Sequence, residues 1–131
     1  INTGIKRSST TVLQSVNIDK SASLLPLVDD LEKAIETKDY QLFETIFNQA
    51  WEQKKATSNL ITNNPKIKEM DEFFEQSPMV HAVKLSGAGG GGYFLLLCDK
   101  NVDTQIHQIF DKTGKITKIQ ANAAGVVGIE V

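Results

Sequence analysis

One cysteine, three prolines and one tryptophan stand among the 131 residues of this chain, and the scarcities exclude several classes at once. Cys98 alone allows no internal disulfide and falls short of a structural zinc site. No apolar run approaches the roughly 20 residues that cross a bilayer. The first residues also lack the charged, apolar, small-residue order of a secretory signal. These absences point to the cytoplasm and away from membranes. Charge of one sign is scarce too. A net of −2 gives no general attraction to DNA, RNA or an acidic lipid surface. Lys6–Arg7 and Lys54–Lys55 remain as local basic pairs suited to a small anion. His81 and His107 have no companions at catalytic or metal-ligand spacing, so no metal site is expected.

What is present suits one domain over residues 1–131, with 40% hydrophobic and 23% charged residues. The opening Ile1-Asn2-Thr3-Gly4, without an initiator Met, reads as the continuation of a longer chain. The first two-thirds are helical in pattern. Ser8 or Ser9 caps a short helix with Val12, Leu13 and Val16 at helical spacing. A second helix follows Asp19 or Ser21, with Leu24, Leu27, Val28, Leu31 and Ile35 on one face and Pro26 confined to its first turn. A third begins after Lys38-Asp39 and carries Leu42, Phe43, Ile46, Phe47, Ala50 and Trp51. Asn63-Asn64-Pro65 starts a fourth, bearing Ile67, Met70, Phe73 and Phe74. Its acidic residues Glu69, Asp71, Glu72 and Glu75 read as a solvated face.

At Ser77-Pro78 the period changes. Residues 80–85 read as a strand, and the apolar run 93–98 as a central strand buried on both faces. A helix over 101–112 and strands over 116–122 and 126–131 complete the pattern. Helices followed by β-β-α-β-β predict an α+β domain, a four-stranded antiparallel sheet packed with helices.

Between the first two strands lies Ser86-Gly87-Ala88-Gly89-Gly90-Gly91-Gly92. A hairpin needs one or two glycines, and each further one costs backbone entropy. The excess implies a close approach of main chain to something, and runs of unhindered N–H groups favour phosphate oxygens. The spacing satisfies G-x-G-x-x-G, but a strand follows where a dinucleotide-binding fold requires a helix. Tyr93-Phe94 stand where a Walker A loop needs Lys and Ser or Thr. Two readings stay open from the residues: contact with a phosphorylated ligand, or a structural bend.

Ser86 to Phe94, set between two strands, closely resembles the third signature motif of the GHMP kinases, the relatives of galactokinase, homoserine kinase and mevalonate kinase. The segment from Ala50 to Ser58, followed by Ile61-Thr62-Asn63, resembles D-glycero-D-manno-heptose 7-phosphate kinases. So does Thr3-Gly4-Ile5-Lys6-Arg7. The resemblance implies a ferredoxin-like carboxyl-terminal domain whose loop 86–92 lies beside the phosphates of ATP at an interdomain active site. It also implies a partner amino-terminal domain that carries the Pro-x-x-x-Gly-Leu-Gly-Ser-Ser loop, most contacts to ATP and Mg²⁺, and the catalytic acid. That loop does not occur in these residues, so this chain by itself is expected to be inactive and to hold no catalytic residue. Arg7, Lys54, Lys55, Ser58 and Lys84 are candidates for holding a sugar or sugar-phosphate substrate, each with a structural alternative as a surface or strand-edge residue. Rival functions are a non-catalytic small-ligand regulatory module and a kinase acting on a non-sugar alcohol. Trp51 and Cys98 read as packing.

Overall fold

Side-chain caps mark where most of the helices begin. In the computed structural model, which describes residues 1–99 and 119, Ser8 caps α1 (Ser9–Gln14) by accepting from the N–H of Thr11, and Asn17 caps α2 (Ile18–Ala22) through that of Lys20. Asp39 and Asn64 do the same for α4 (Tyr40–Thr57) and α5 (Pro65–Gln76). Each such cap contributes about 1 kcal/mol.

The expected second helix is two helices, α2 and α3 (Leu25–Glu36). Pro26 explains the break. Its ring excludes the carbonyl four residues earlier, that of Ala22, from a continuous helix, and α2 ends on Ala22. The buried stripe of α3 is also narrower than expected. Leu27 and Ala34 are buried and pack with Leu24 and Leu31 against Phe43, Ile46 and Ala50 of α4. Val28 and Ile35 instead stand 62% and 60% exposed, because the line of contact with α4 runs through 27, 31 and 34.

The larger core gathers Val12, Trp51, Ile61, Ile67, Met70 and Phe74 beneath β1 (Val80–Leu85) and β2 (Phe94–Cys98). Trp51 meets Phe94 edge-on at 6.4 Å, and Phe94 meets Phe74 at 5.2 Å, the geometry aromatic quadrupoles favour. Asp71 is drawn into this core. It is 5% exposed, accepts the Trp51 indole N–H at 2.7 Å and the Lys55 ammonium at 2.9 Å. The acidic face of α5 is therefore not wholly solvated. Asp71 turns inward because the indole needs an acceptor once buried, and Lys55 supplies the countercharge.

β1 and β2 pair antiparallel from Leu85↔Phe94 to Val80↔Cys98, with an irregularity between Val80 and Ala82. Among the described residues the sheet has these two strands, not the four expected. The segments 101–112, 116–122 and 126–131, predicted as a helix and two strands, lie outside the described residues apart from Ile119, which is exposed. Among the described residues β2 is covered on one face, with Phe94 buried and Leu97 41% exposed. A feature the hydrophobic pattern missed is the pairing of the chain's first residues with the start of β2. Asn2 bridges Tyr93, Phe94 N–H donates to the Ile1 carbonyl at 2.8 Å, and Thr3 donates to the Gly92 carbonyl through both N–H and hydroxyl. No described helix is long and apolar enough to cross a membrane.

Trp51→Phe keeps the buried ring but leaves the Asp71 carboxylate without one of its donors. It is expected to destabilise the fold by about 1–3 kcal/mol, read as a lower urea midpoint at unchanged slope. A midpoint equal to wild type would show that the indole–carboxylate bond contributes nothing.

Candidate functional site

The glycine loop divides into an inward and an outward half. Gly89, Gly90 and Gly91 are buried, whereas Ser86 and Gly87 are exposed and Ala88 is half-buried. A Cβ at Gly91 would stand 2.5 Å from the Ile5 carbonyl oxygen and 2.9 Å from Cγ of Arg7. At Gly89 it would meet Ile61 side-chain carbons at 2.8 and 2.9 Å, on a backbone whose φ of +99° already favours glycine. Gly90 donates its N–H to the Ile61 carbonyl at 2.8 Å. Internal packing thus accounts for the three inward glycines, and the structural bend applies to this half of the loop.

Two cations hold the loop from opposite flanks. Nε of Arg7 donates to the Gly89 carbonyl and Nη1 to the Ser9 hydroxyl. Lys54, from the last turns of α4, donates Nζ to the Leu85 carbonyl at 3.1 Å and also to that of Gly87. With carbonyls taken from within, the N–H groups of Gly87 and Ala88 have no protein acceptor among the described residues. Burial pushes the Lys54 ammonium down to about 8, with the charges of Lys84 and Arg7 adding to the effect.

The sequence candidates separate accordingly. Arg7 and Lys54 reach the loop, while Lys84 rests its Nζ 5.5 Å from the Phe47 ring and is near enough for its charge to act on Lys54. Lys55 does not join them. It faces α5, where Glu52, Glu75 and Asp71 lie 2.6, 2.6 and 2.9 Å away. Burial opposes its charge, but those hydrogen bonds and the Asp71 charge outweigh this and raise its pKa. Burial pushes the Glu75 carboxyl up, assisted by the Asp71 charge and opposed by Lys55. Ser58 is buried, shares a hydrogen bond with the Ser15 hydroxyl and accepts from the Leu60 N–H at 3.1 Å. It therefore braces the turn that positions Ile61.

His81, unassigned from the sequence, has partners: Nε2 lies 2.8 Å from Asp99 Oδ1 and Nδ1 lies 3.9 Å from Glu44. Its hydrogen bond to Asp99 raises its pKa, with the Asp99 and Glu44 charges acting the same way. Strand pairing places Asp99 next to β1, a proximity that no spacing in the chain announces. A groove of 290 Å³ lies between α4, α5 and β1, lined in part by Asn48, Glu52, Glu75 and His81 and by no residue of the glycine loop. Among the described residues no group of His, Cys, Asp and Glu is placed to hold a metal ion.

Residues 31–116 match the model of the family described as GHMP kinases C terminal. The match covers more than half of the chain and includes the glycine loop. No curated protein and no solved structure matches.

Gly91→Ala is expected to cost about 1–3 kcal/mol, because backbone, not a flexible side chain, blocks the new methyl group. Gly87→Ala should cost about 1 kcal/mol, the strain of its left-handed backbone, since only the movable tip of Arg7 is near. Thermal unfolding of both variants checks the order, and a reversal would contradict the inward packing. The His81 imidazole is expected to titrate above its ordinary 6.5. Its contribution to stability is therefore full below that value and fades as pH rises through the folded midpoint. Proton NMR of Asp99→Asn should show the midpoint fall, and an unmoved midpoint would sink the pairing.

Proposed function

We propose, since this chain belongs to the GHMP kinase family, that it forms the carboxyl-terminal half of an ATP-dependent kinase for a sugar or sugar phosphate, of the heptose 7-phosphate kinase kind. In this reading the loop 86–92 borders the reaction site in a cleft shared with an amino-terminal domain. The observation that carries it is the outward half of the loop, where amide N–H groups without acceptors stand among cationic side chains. That is the equipment phosphoryl transfer draws on, since its catalysis rests on positioning and on stabilising charge spread over phosphate oxygens.

The residues fit a phosphate and not a metal. Amides at Gly87 and Ala88 with Arg7 and Lys54 would hold phosphate oxygens, whereas the described acidic side chains offer no Mg²⁺ site. ATP supplies the transferred phosphoryl group when bound, and its metal belongs with the amino-terminal domain. This chain's own contribution is to fix one wall of the cleft. Arg7 and Lys54 lock the loop's carbonyls inward, so that its amides face the cleft without reorganising.

A buried loop position makes a poor test, because a side chain at Gly90 would meet the Leu60 carbonyl oxygen and Val12. Gly87→Asp is better, since it sets a carboxylate among the cations at an exposed tip. In protein carrying both domains, kcat/KM for ATP-dependent phosphorylation should fall at least about a hundredfold. The loss of stability should be no larger than the roughly 1 kcal/mol expected of Gly87→Ala, which serves as the control. This chain alone should turn over no ATP. Undiminished turnover in the Gly87→Asp protein would refute the loop's place at the site. A panel of sugars, sugar phosphates and non-sugar alcohols identifies the acceptor, and activity confined to non-sugar alcohols would refute the sugar assignment.

A further inference from the structure

The groove between α4, α5 and β1 takes no part in the kinase reading. Its 290 Å³ is at the lower end of ligand pockets, which begin near about 300 Å³. The floor is apolar, set by the buried Trp51, Phe74 and Ala82. Acceptors without donors stand on its walls.

The first is main chain. Ser86 N–H donates to the Tyr93 carbonyl, while Phe94 N–H turns away from β1 to Ile1. Bonded and unbonded pairs alternate in an antiparallel ladder, so Leu85↔Phe94 and Val83↔Leu96 are of the unbonded kind. The N–H and carbonyl of Val83 therefore both leave β2 behind. Asn48 accepts that N–H at 3.0 Å and spends its own amide donor on the His81 carbonyl at 2.9 Å. The Val83 carbonyl receives no donor from the described residues, although Val83 is 3% exposed and lines the groove. A buried acceptor left unpaired costs free energy that an incoming donor recovers.

The others are charged. Glu52 of α4 and Glu75 of α5 each give Oε1 to the Lys55 ammonium, and Asp71 meets the same group. One cation thus faces three carboxylates. Oε2 of Glu52 and Oε2 of Glu75 meet no donor among the described residues. Burial pushes the Glu75 carboxyl up, and Asp71 and Glu52 add to this against Lys55. The last two are the effect of negative charge in excess. His81 does not offset it, because Asp99 and Glu44 hold the imidazole.

We propose that this groove is a binding site for a small organic cation, a primary ammonium carried on a short apolar body. An ammonium brings three donors, and the groove residues offer three acceptors in need of one: Oε2 of Glu52, Oε2 of Glu75 and the Val83 carbonyl. The apolar body lies toward Trp51 and Phe74. An anion would meet like charge here, and among the described residues no group is placed to hold a metal ion. The site shares no residue with the glycine loop, so it stands or falls apart from the kinase reading.

Benzylamine is the probe, a cation at about pH 7, with benzyl alcohol and benzoate as neutral and anionic counterparts of similar shape. Titrated into this chain and followed by amide NMR, benzylamine should shift Glu52, Glu75 and residues 80–83 and leave Gly87 and Ala88 in place. Benzyl alcohol should bind at least about tenfold more weakly, and benzoate should cause no shift. Glu52→Gln and Glu75→Gln should each weaken benzylamine roughly fivefold to tenfold. Glu72→Gln removes the same charge from α5 at a residue paired with Lys68 and outside the groove, and should leave the affinity unchanged. Thermal unfolding of the variants checks that each is folded. The three-ligand comparison uses the unaltered chain and decides the matter even where a substitution disturbs the Lys55 network. Groove amides that do not move, equal affinity for amine and alcohol, or an equal loss in Glu72→Gln overturns the proposal.

Discussion

The close approach of the loop backbone to Ile5 and Ile61 governs how the rest of this structure is arranged. Main chain can come that near only where no Cβ intervenes, and Gly89 and Gly91 supply that space. The partners must then be held as firmly as the loop. Ile5 is fixed because the residues just before it pair with the start of β2, through the bonds of Ile1 and Thr3 to Phe94 and Gly92. Ile61 is fixed because Ser58 closes the turn after α4 and because the Ile61 side chain is buried in the main core. Amino-terminal segment, helix connection and glycine loop therefore form one cooperative unit. A side chain inserted into any of the three displaces the others, since a close-packed interior has no slack to absorb it.

Helix α4 distributes charge between two neighbourhoods. Lys54 and Lys55 are adjacent in sequence and about 100° apart around the axis, so one reaches the loop and the other reaches α5. Lys55 meets three carboxylates and is held charged. Lys54 meets carbonyls and two further cations, and its charge is held weakly. Trp51, one turn earlier, is the pivot: its ring lies within 6 Å of both ammonium groups while its N–H secures Asp71. The helix is neutralised on one side and left electropositive on the other, where the loop presents its amides.

Local chemistry was legible in the residues and long-range placement was not. Caps and periodicity located α1, α4, α5 and both described strands, because these depend on neighbours within a turn or two. The division of α2 from α3 was implicit in Pro26, whose effect falls four residues upstream, but the apolar pattern ran across it. The glycine excess signalled a close approach correctly. It did not reveal that the chain's own Ile5, Leu60 and Ile61 take up the inner glycines, since those contacts join residues far apart in sequence. The same limit explains Asp71. On a helical wheel it stands between Ile67 and Glu75, at the edge of the buried face of α5. Its charge grouped it with the acidic residues, and its acceptor role depends on the indole of a different helix. The basic pairs were visible as candidates. Which member of each pair meets the loop is decided by packing.

Amide hydrogen exchange resolved along the loop tests the inward and outward division most directly. The Gly90 amide, bonded to the Ile61 carbonyl, should exchange as slowly as amides of the surrounding core, while Gly87 and Ala88 exchange nearly as fast as an unfolded chain. Gly90 exchanging at the rate of Gly87 would mean that the loop stands open along its whole length, and the division described here would be wrong.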